Sequence, residues 1–333
     1  MTRLVQIKKS SFRRVALVEE PNLRLLDCCS SIYELAQIAI ASGMNLSELV
    51  ERRTGHQILE YDSVYSGRSE WRLLPAIDHP EEPARCLISG TGLTHLGSAR
   101  DRQSMHTDIT DDMTDSMKMF RLGVEGGRPP RGTIGVPPEW FYKGTGGTLR
   151  AHGDLLDIPG YAEDGGEEAE IAGAYLIGPG GLPYRVGMAV GNEFSDHQFE
   201  KKNYLNLAGS KLRTCALGPE LVLGAPFDSI EVTVVIACQG TIHWSRTFRT
   251  GESEMCHSLE NIEHHHFKYE NHRRPGDVHI HFFGTDCLSF TDNIRLQDRD
   301  IVEINAAGYG RALQNRVRVA QSKARPVKVA PLV

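Results

Sequence analysis

The sequence predicts an α+β fold rich in β structure. It divides into a small N-terminal α/β domain over residues 1–85, a larger strand-and-turn domain over 86–320 and a flexible tail over 321–333. Three observations carry this prediction. The opening stretch alternates apolar and polar residues, the stretch after it has helical spacing, and from Cys86 onward short apolar runs broken by Gly and Pro dominate.

Taken in order, LVQIKKSSFRRVALVEEPNLRLLD reads as a short antiparallel meander, because period-two alternation is separated by turn residues. Ile32, Leu35, Ile38 and Ala39 then recur at helical spacing, with Ser30 or Ser31 placed to cap the helix start. Gly43 breaks that helix, and Asn45 or Ser47 opens a second. The Pro-rich, acidic stretch LLPAIDHPEEPARCLISG marks the domain boundary near residues 80–86. Beyond it one acidic, Met-bearing helical run is expected from Asp108 to Leu122. The remainder reads as strands and turns, as in GAYLIGPGGLPYRVGMAVGN, SIEVTVVIACQGTIHWSRTFRTG, GDVHIHFFGTD and DIVEINAAGYG. The chain from Val319 reads as frayed.

Composition narrows the function classes. Over 333 residues, 37 Lys and Arg stand against 43 Asp and Glu, a net charge of −6, which gives no reason to expect a nucleic-acid or anionic-membrane partner. No run of about 18 apolar residues occurs, so no membrane helix is expected. The charged N-terminus has no apolar run behind it and does not read as a signal peptide. The 7 Cys are scattered without a CxxC pair, which suits a reducing compartment. A cytoplasmic location is the resulting expectation.

The run GGEEAEIAGAYLIG is the most informative. In a strand, Glu168 and Glu170 point to one face while Glu167 points to the other. Two such carboxylates repel each other unless a cation lies between them, and their hard oxygens suit Mg²⁺, Mn²⁺ or Ca²⁺ better than a structural zinc. A solvated acidic strand end is the plain alternative. Downstream, Glu193 at the end of YRVGMAVGNEFSDH offers a third carboxylate, and Lys211 follows in a Gly- and Ser-flanked loop. Upstream, Lys143 stands beside aromatic residues in PPEWFYKGTGG. Gly284-Thr285 forms a turn whose backbone can approach a ligand closely. The run His264-His265-His266, followed by His272, His279 and His281, cannot converge on one metal from regular structure, so a polar helix or loop near a dimer interface is expected there. Either His279 or His281 is a candidate to line a pocket.

The ordered set of motifs resembles the fumarylacetoacetate hydrolase (FAH) superfamily. It comprises Gly92-Leu93-Thr94-His95, Pro138-Glu139-Trp140-Phe141-Tyr142-Lys143, Glu168-Ala169-Glu170-Ile171-Ala172, Asn192-Glu193-Phe194-Ser195, Gly209-Ser210-Lys211, Pro275-Gly276-Asp277 and Gly284-Thr285-Asp286. The runs SGTGLTHLGSARDRQSMH and GVPPEWFYKGTG point to its GguC-type branch, whose relatives include 2-keto-3-deoxy-pentonate dehydratases. The resemblance implies a distorted β-roll behind a small N-terminal domain, and a homodimer. It implies a Mg²⁺ site at Glu168, Glu170 and Glu193, with Glu at the last position where the family has Asp. It further implies catalytic roles for Lys211 and Lys143, with Lys211 preferred as the base, and a role for His95 as an acid or substrate contact. Ser98, Arg100, His197 and Thr285 fall at substrate-contacting positions, while Arg100, Arg102 and Arg121 could complement a sugar-acid carboxylate.

Two departures stand out. The family Arg falls at His197, and the His-x-x-Glu dyad that activates water for carbon–carbon hydrolysis is replaced around Ser98 and Asp101. The implied activity is therefore a metal-dependent dehydratase of a small 2-oxo sugar acid, such as 2-keto-3-deoxy-arabonate. The alternatives are a hydrolase, decarboxylase or isomerase of a 2,4-dioxo acid, or a non-catalytic sugar-acid-binding protein. Ser98 and Ser195 lack a nucleophile elbow, and the Gly-rich run at 123–135 lacks the context of a phosphate-binding loop.

Overall fold

The computed structural model describes residues 1–27, 29–106 and 114–332, and of residues 104–106 only the backbone. The opening meander forms as expected. Strands Thr2–Lys9, Phe12–Glu19 and Asn22–Leu26 pair antiparallel in sequence order. The helix Ile32–Ser42 starts at Ser31, whose side chain accepts the Glu34 N–H, and stops at Gly43 with φ 66°. A second helix, Leu46–Arg53, is capped by Asn45. Ile32, Leu35, Ala36 and Ala39 are the buried stripe of the first helix, which packs on the large sheet.

That sheet has thirteen strands, and a second sheet has five. Thr2–Lys9 pairs with Leu221–Leu223, so the N-terminal meander and the centre of the chain share one hydrogen-bonded layer. At the middle lies Ala169–Ile177, flanked by Pro183–Asn192 and Val278–Phe282 and buried along its whole length. Alternation along this strand explains the two cores. Ile171, Tyr175 and Ile177 meet the five-stranded sheet through Val232, Val234, Val302 and Ile304. Ala172, Ala174 and Leu176 face the opposite way, toward Ile88, Ile280, Phe282 and the first helix.

Two helices were not expected from the sequence. Leu96–His106 follows the strand Cys86–Gly92; its apolar residues are too few to signal it. His197–Lys202 interrupts the strand-rich region. A third, Leu259–Phe267, carries the run His264-His265-His266, where a polar helix or loop was expected, with His265 and His266 buried. The acidic run from Asp108 to Leu122 lies partly outside the described residues, and its described part belongs to the helix Asp115–Gly126. Cys86, Cys215, Cys238, Cys256 and Cys287 are free thiols, while Cys28 lies outside the described residues. The tail 321–332 carries no helix or strand and is exposed.

Candidate active site

The antiparallel register brings the predicted carboxylates together. Ala169 lies opposite Asn192, and the pairing continues outward through the Glu193 N–H, which donates to the Glu168 carbonyl at 2.9 Å. Glu168 and Glu193 are thus cross-strand neighbours, and Glu170 shares their face two residues on. Carboxylate oxygens of Glu168, Glu170 and Glu193 all lie within 4.8 Å of one another, and all three residues are buried. Glu167 points away, accepting the Ser289 N–H and hydroxyl at 2.7 Å each.

Two buried lysines meet this cluster. Lys211 Nζ lies 2.5 Å from Glu168 Oε1, also contacts Glu193, and sits 4.7 Å from the centre of the Phe141 ring. Lys143 Nζ lies 2.6 Å from the other Glu193 oxygen and donates to the Phe194 carbonyl. Burial works against both ammonium ions. For Lys211, the charges of Glu168, Glu193 and Glu200 outweigh it and hold the pKa above the ordinary lysine value. For Lys143, burial wins over Glu193 and the pKa falls.

The carboxylates divide in the same way. Burial, followed by repulsion from Glu193 and Glu168, pushes Glu170 well up, although the Gly284 N–H donates to it at 2.6 Å. Burial and the charge of Glu168 raise Glu193 despite both lysines. Burial also opposes ionisation of Glu168, but Lys211 and His197 overcome it and hold its pKa well down. His197 Nε2 lies 3.0 Å from Glu168 Oε1, which raises the imidazole pKa against its burial.

Three buried carboxylates thus face two buried ammonium ions, and burial, reinforced by the neighbouring carboxylate charge, raises the pKa values of Glu170 and Glu193. All three offer hard oxygen donors converging on one point, which fits Mg²⁺, Mn²⁺ or Ca²⁺. Beside them is a narrow cavity of about 20 Å³, lined by Ser98, Arg102, Glu168, Glu170, His197, Glu200, Lys211 and Thr285 among others. That volume holds about one water molecule. Admission of anything larger therefore requires its walls to part, and one wall is the helix Leu96–His106.

Of the residues expected at the pocket, Ser98, His197, Lys211 and Thr285 line this cavity together with Glu168 and Glu170. Lys143 and Glu193 stand directly behind them. The expectations for His95 and Arg100 do not meet the geometry. His95 is a core residue whose ring nitrogens contact the Thr94 and Thr250 hydroxyls at 2.8 and 3.0 Å. Burial pushes it down to about 3, so it is neutral and off the cavity. Arg100 is exposed on its helix, and Arg121 is exposed and paired with Glu125. His279 and His281 also miss the cavity: His279 contacts His266, and His281 is held by Ser89 and Thr91.

Sequence reasoning offered Arg102 only as one of three arginines able to complement a carboxylate, and missed Glu139 and Glu200. Arg102 is largely buried, lies 2.8 Å from both glutamates, and lines the cavity. It brings a cation from another element to the neighbourhood of His197. Asp286 accepts the Gly97 N–H at 2.7 Å and so secures the start of the helix carrying Ser98 and Arg102. A Cβ at position 97 would lie 2.0 Å from the Asp286 carbonyl oxygen, so glycine is needed there.

No family model matches the chain, and no curated protein matches its sequence. Solved structures do share its fold. One is 2-keto-3-deoxy-D-arabinonate dehydratase complexed with magnesium and 2,5-dioxopentanoate, with TM-score 0.71, 19% identity and coverage of 96% of this chain and 100% of that one. A hexagonal crystal form of 2-keto-3-deoxyarabinonate dehydratase gives TM-score 0.72 at 20% identity over the same shares. Fumarylacetoacetate hydrolase from Exiguobacterium antarcticum gives 0.60 at 15%, again with 96% and 100% covered. The fold expected from the motif resemblance is borne out.

Proposed function

We propose that this chain is a divalent-metal-dependent hydro-lyase that removes water from a 2-keto-3-deoxy sugar acid such as 2-keto-3-deoxy-arabonate. The observation that carries the reading is the convergence of Glu168, Glu170 and Glu193 within 4.8 Å beside two buried lysines. The shared fold supports it, since one protein with that fold was solved with magnesium and 2,5-dioxopentanoate.

Glu168, Glu170 and Glu193 would hold Mg²⁺, which supplies Lewis-acid stabilisation of the enolate that forms when a 2-oxo acid loses a C3 proton. Lys211 is the base, because it alone of the two lysines lines the cavity. Its proton is held by the charges of Glu168 and Glu193; a cation sharing those charges would weaken that hold, and Lys211, having released its proton to solvent, would accept the C3 proton. His197 lines the cavity with its pKa raised by Glu168, and so carries a proton to give. It donates to the departing C4 hydroxyl, which leaves as water. The unsaturated product isomerises to a 2,5-dioxo acid. Arg102, Glu200, Ser98 and Thr285 are placed to bind the substrate's carboxylate and hydroxyls. Lys143 neutralises Glu193 from behind.

Purified protein supplied with Mg²⁺ and a panel of 2-keto-3-deoxy aldonates tests this reading. Loss of water without chain cleavage is the expected result. Carbon–carbon cleavage, or tight binding without turnover, overturns it.

A further inference from the structure

We infer that the edge of the five-stranded sheet carries a second, chemically distinct metal site, for a zinc-class transition ion, built from Cys238, His243 and Asp300. The thiol sulfur, an imidazole nitrogen and a carboxylate oxygen of these residues lie within 4.8 Å of one another. Three adjoining strands deliver them. Cys238 ends the strand Ile230–Cys238. Ala237 lies opposite Ile301, so continuing that register places Asp300 across from Cys238.

On the other side the chain returns through Gln239 and Gly240, both at positive φ (49° and 82°), into Thr241–Thr250. Here the pairing slips by one residue: Ile236 faces Trp244 but Ala237 faces Ile242. His243 is the extra residue, and a bulge of this kind re-aims a side chain out of the regular pleat.

Asp300 is buried and already oriented. Its Oδ2 accepts the Gln297 N–H at 2.8 Å, and its carbonyl accepts the Val317 N–H at 2.7 Å. Fixing a carboxylate in this way pre-forms a ligand. Cys238 is a free, half-buried thiol and His243 is exposed, so an ion can reach both. All three line an open cleft of about 760 Å³, which leaves the fourth coordination position to water or an external ligand. One sulfur, one nitrogen and one oxygen donor favour Zn²⁺ over Mg²⁺, whereas the carboxylates of the other sheet favour Mg²⁺. A thiolate and a carboxylate neutralise a divalent ion, so Arg295, which lines the same cleft, faces no excess positive charge.

The full chain, freed of metal by chelation and then saturated with Mg²⁺, is titrated with Co²⁺ as the probe. One equivalent of Co²⁺ is expected to give a thiolate-to-cobalt charge-transfer band and to protect Cys238 from iodoacetamide, read by peptide mass spectrometry. Cys238→Ser removes the band. His243→Ala and Asp300→Asn each weaken Co²⁺ binding by at least about tenfold, with circular dichroism confirming the fold of each variant. The protection measured on the unaltered protein stands independently of any variant's folding. Absence of both band and protection, a band that survives in Cys238→Ser, or Co²⁺ affinity unmoved by both other substitutions overturns the proposal.

Discussion

The large sheet carries titratable groups on both faces, and the two faces treat them in opposite ways. On one, Glu168, Glu170, Glu193, Lys143 and Lys211 form an ionic cluster. On the other, His279 and His281 pack with His266 and His272, with ring centres of His266 lying 5.0, 4.6 and 4.7 Å from those of His279, His281 and His272 respectively. Burial is the largest influence on both groups. Among the histidines nothing opposes it, and His279 and His281 fall to about 3, each further lowered by its histidine neighbours. Within the ionic cluster partners of opposite sign oppose it, so Lys211 and His197 keep their protons and Glu168 stays ionised. Depth alone therefore does not make a reactive site. Deep charges kept in imbalance do, because a cation or an anionic substrate can relieve them.

The sharpest way to break this contrast is Glu168→Gln. It removes a proposed metal donor and the partner of both Lys211 and His197, and turnover should fall by more than about 100-fold with the fold intact, since even supporting groups around a metal are worth 10–100-fold. Steady-state kinetics with circular dichroism checks it, and a fully active variant removes the metal argument. Lys143→Met comes next, because it leaves the buried Glu193 charge with Lys211 as its remaining ammonium partner. Urea unfolding should show a loss of about 3–5 kcal/mol, and adding Glu193→Gln in the same chain should restore much of it.

The histidine face predicts a pH effect. Folded His279 and His281 bind protons only near pH 3, whereas the unfolded residues do so near the ordinary value of 6.5. The unfolded chain thus binds more protons across that window. Stability is fully present above about pH 6.5 and falls with decreasing pH by about 1.4 kcal/mol per pH unit per histidine. His281→Gln should flatten the slope by one proton's worth relative to the unaltered protein, and an unchanged slope would show that His281 is not buried neutral. The smallest effect is expected from Asp286→Ala, which removes the acceptor at the start of the helix Leu96–His106. It should cost about 0.5–2 kcal/mol and raise KM more than it lowers kcat, because Ser98 and Arg102 ride on that helix.

The carboxylate triad was legible because its signal is local: Glu168 and Glu170 share a face by strand geometry, and Glu193 lies one residue past the strand that pairs with theirs. The stop at Gly43 was legible for the same reason, and the starts were legible to within a choice of two, Ser30 or Ser31 and Asn45 or Ser47, from which the structure takes Ser31 and Asn45. His95 was misread because its environment is set by Thr250, 155 positions away, whose hydroxyl leaves the ring nothing to do at the cavity. Arg102 was underrated because its helix has no apolar stripe to announce it, and its partners Glu139 and Glu200 come from other elements. The histidine cluster became visible only once the strand Val278–Phe282 and the helix Leu259–Phe267 were seen side by side.

The pairing of distant segments has a consequence for biosynthesis. Cys86–Gly92 lies parallel to Val278–Phe282, and Glu170 receives the N–H of Gly284 just beyond that strand. A chain emerging from the ribosome exposes its acidic triad long before these closing segments are made. Until residue 284 has been translated, Glu170 lacks its amide donor and the central strand lacks a neighbour, so the acidic cluster can take its final form only after that residue has been made.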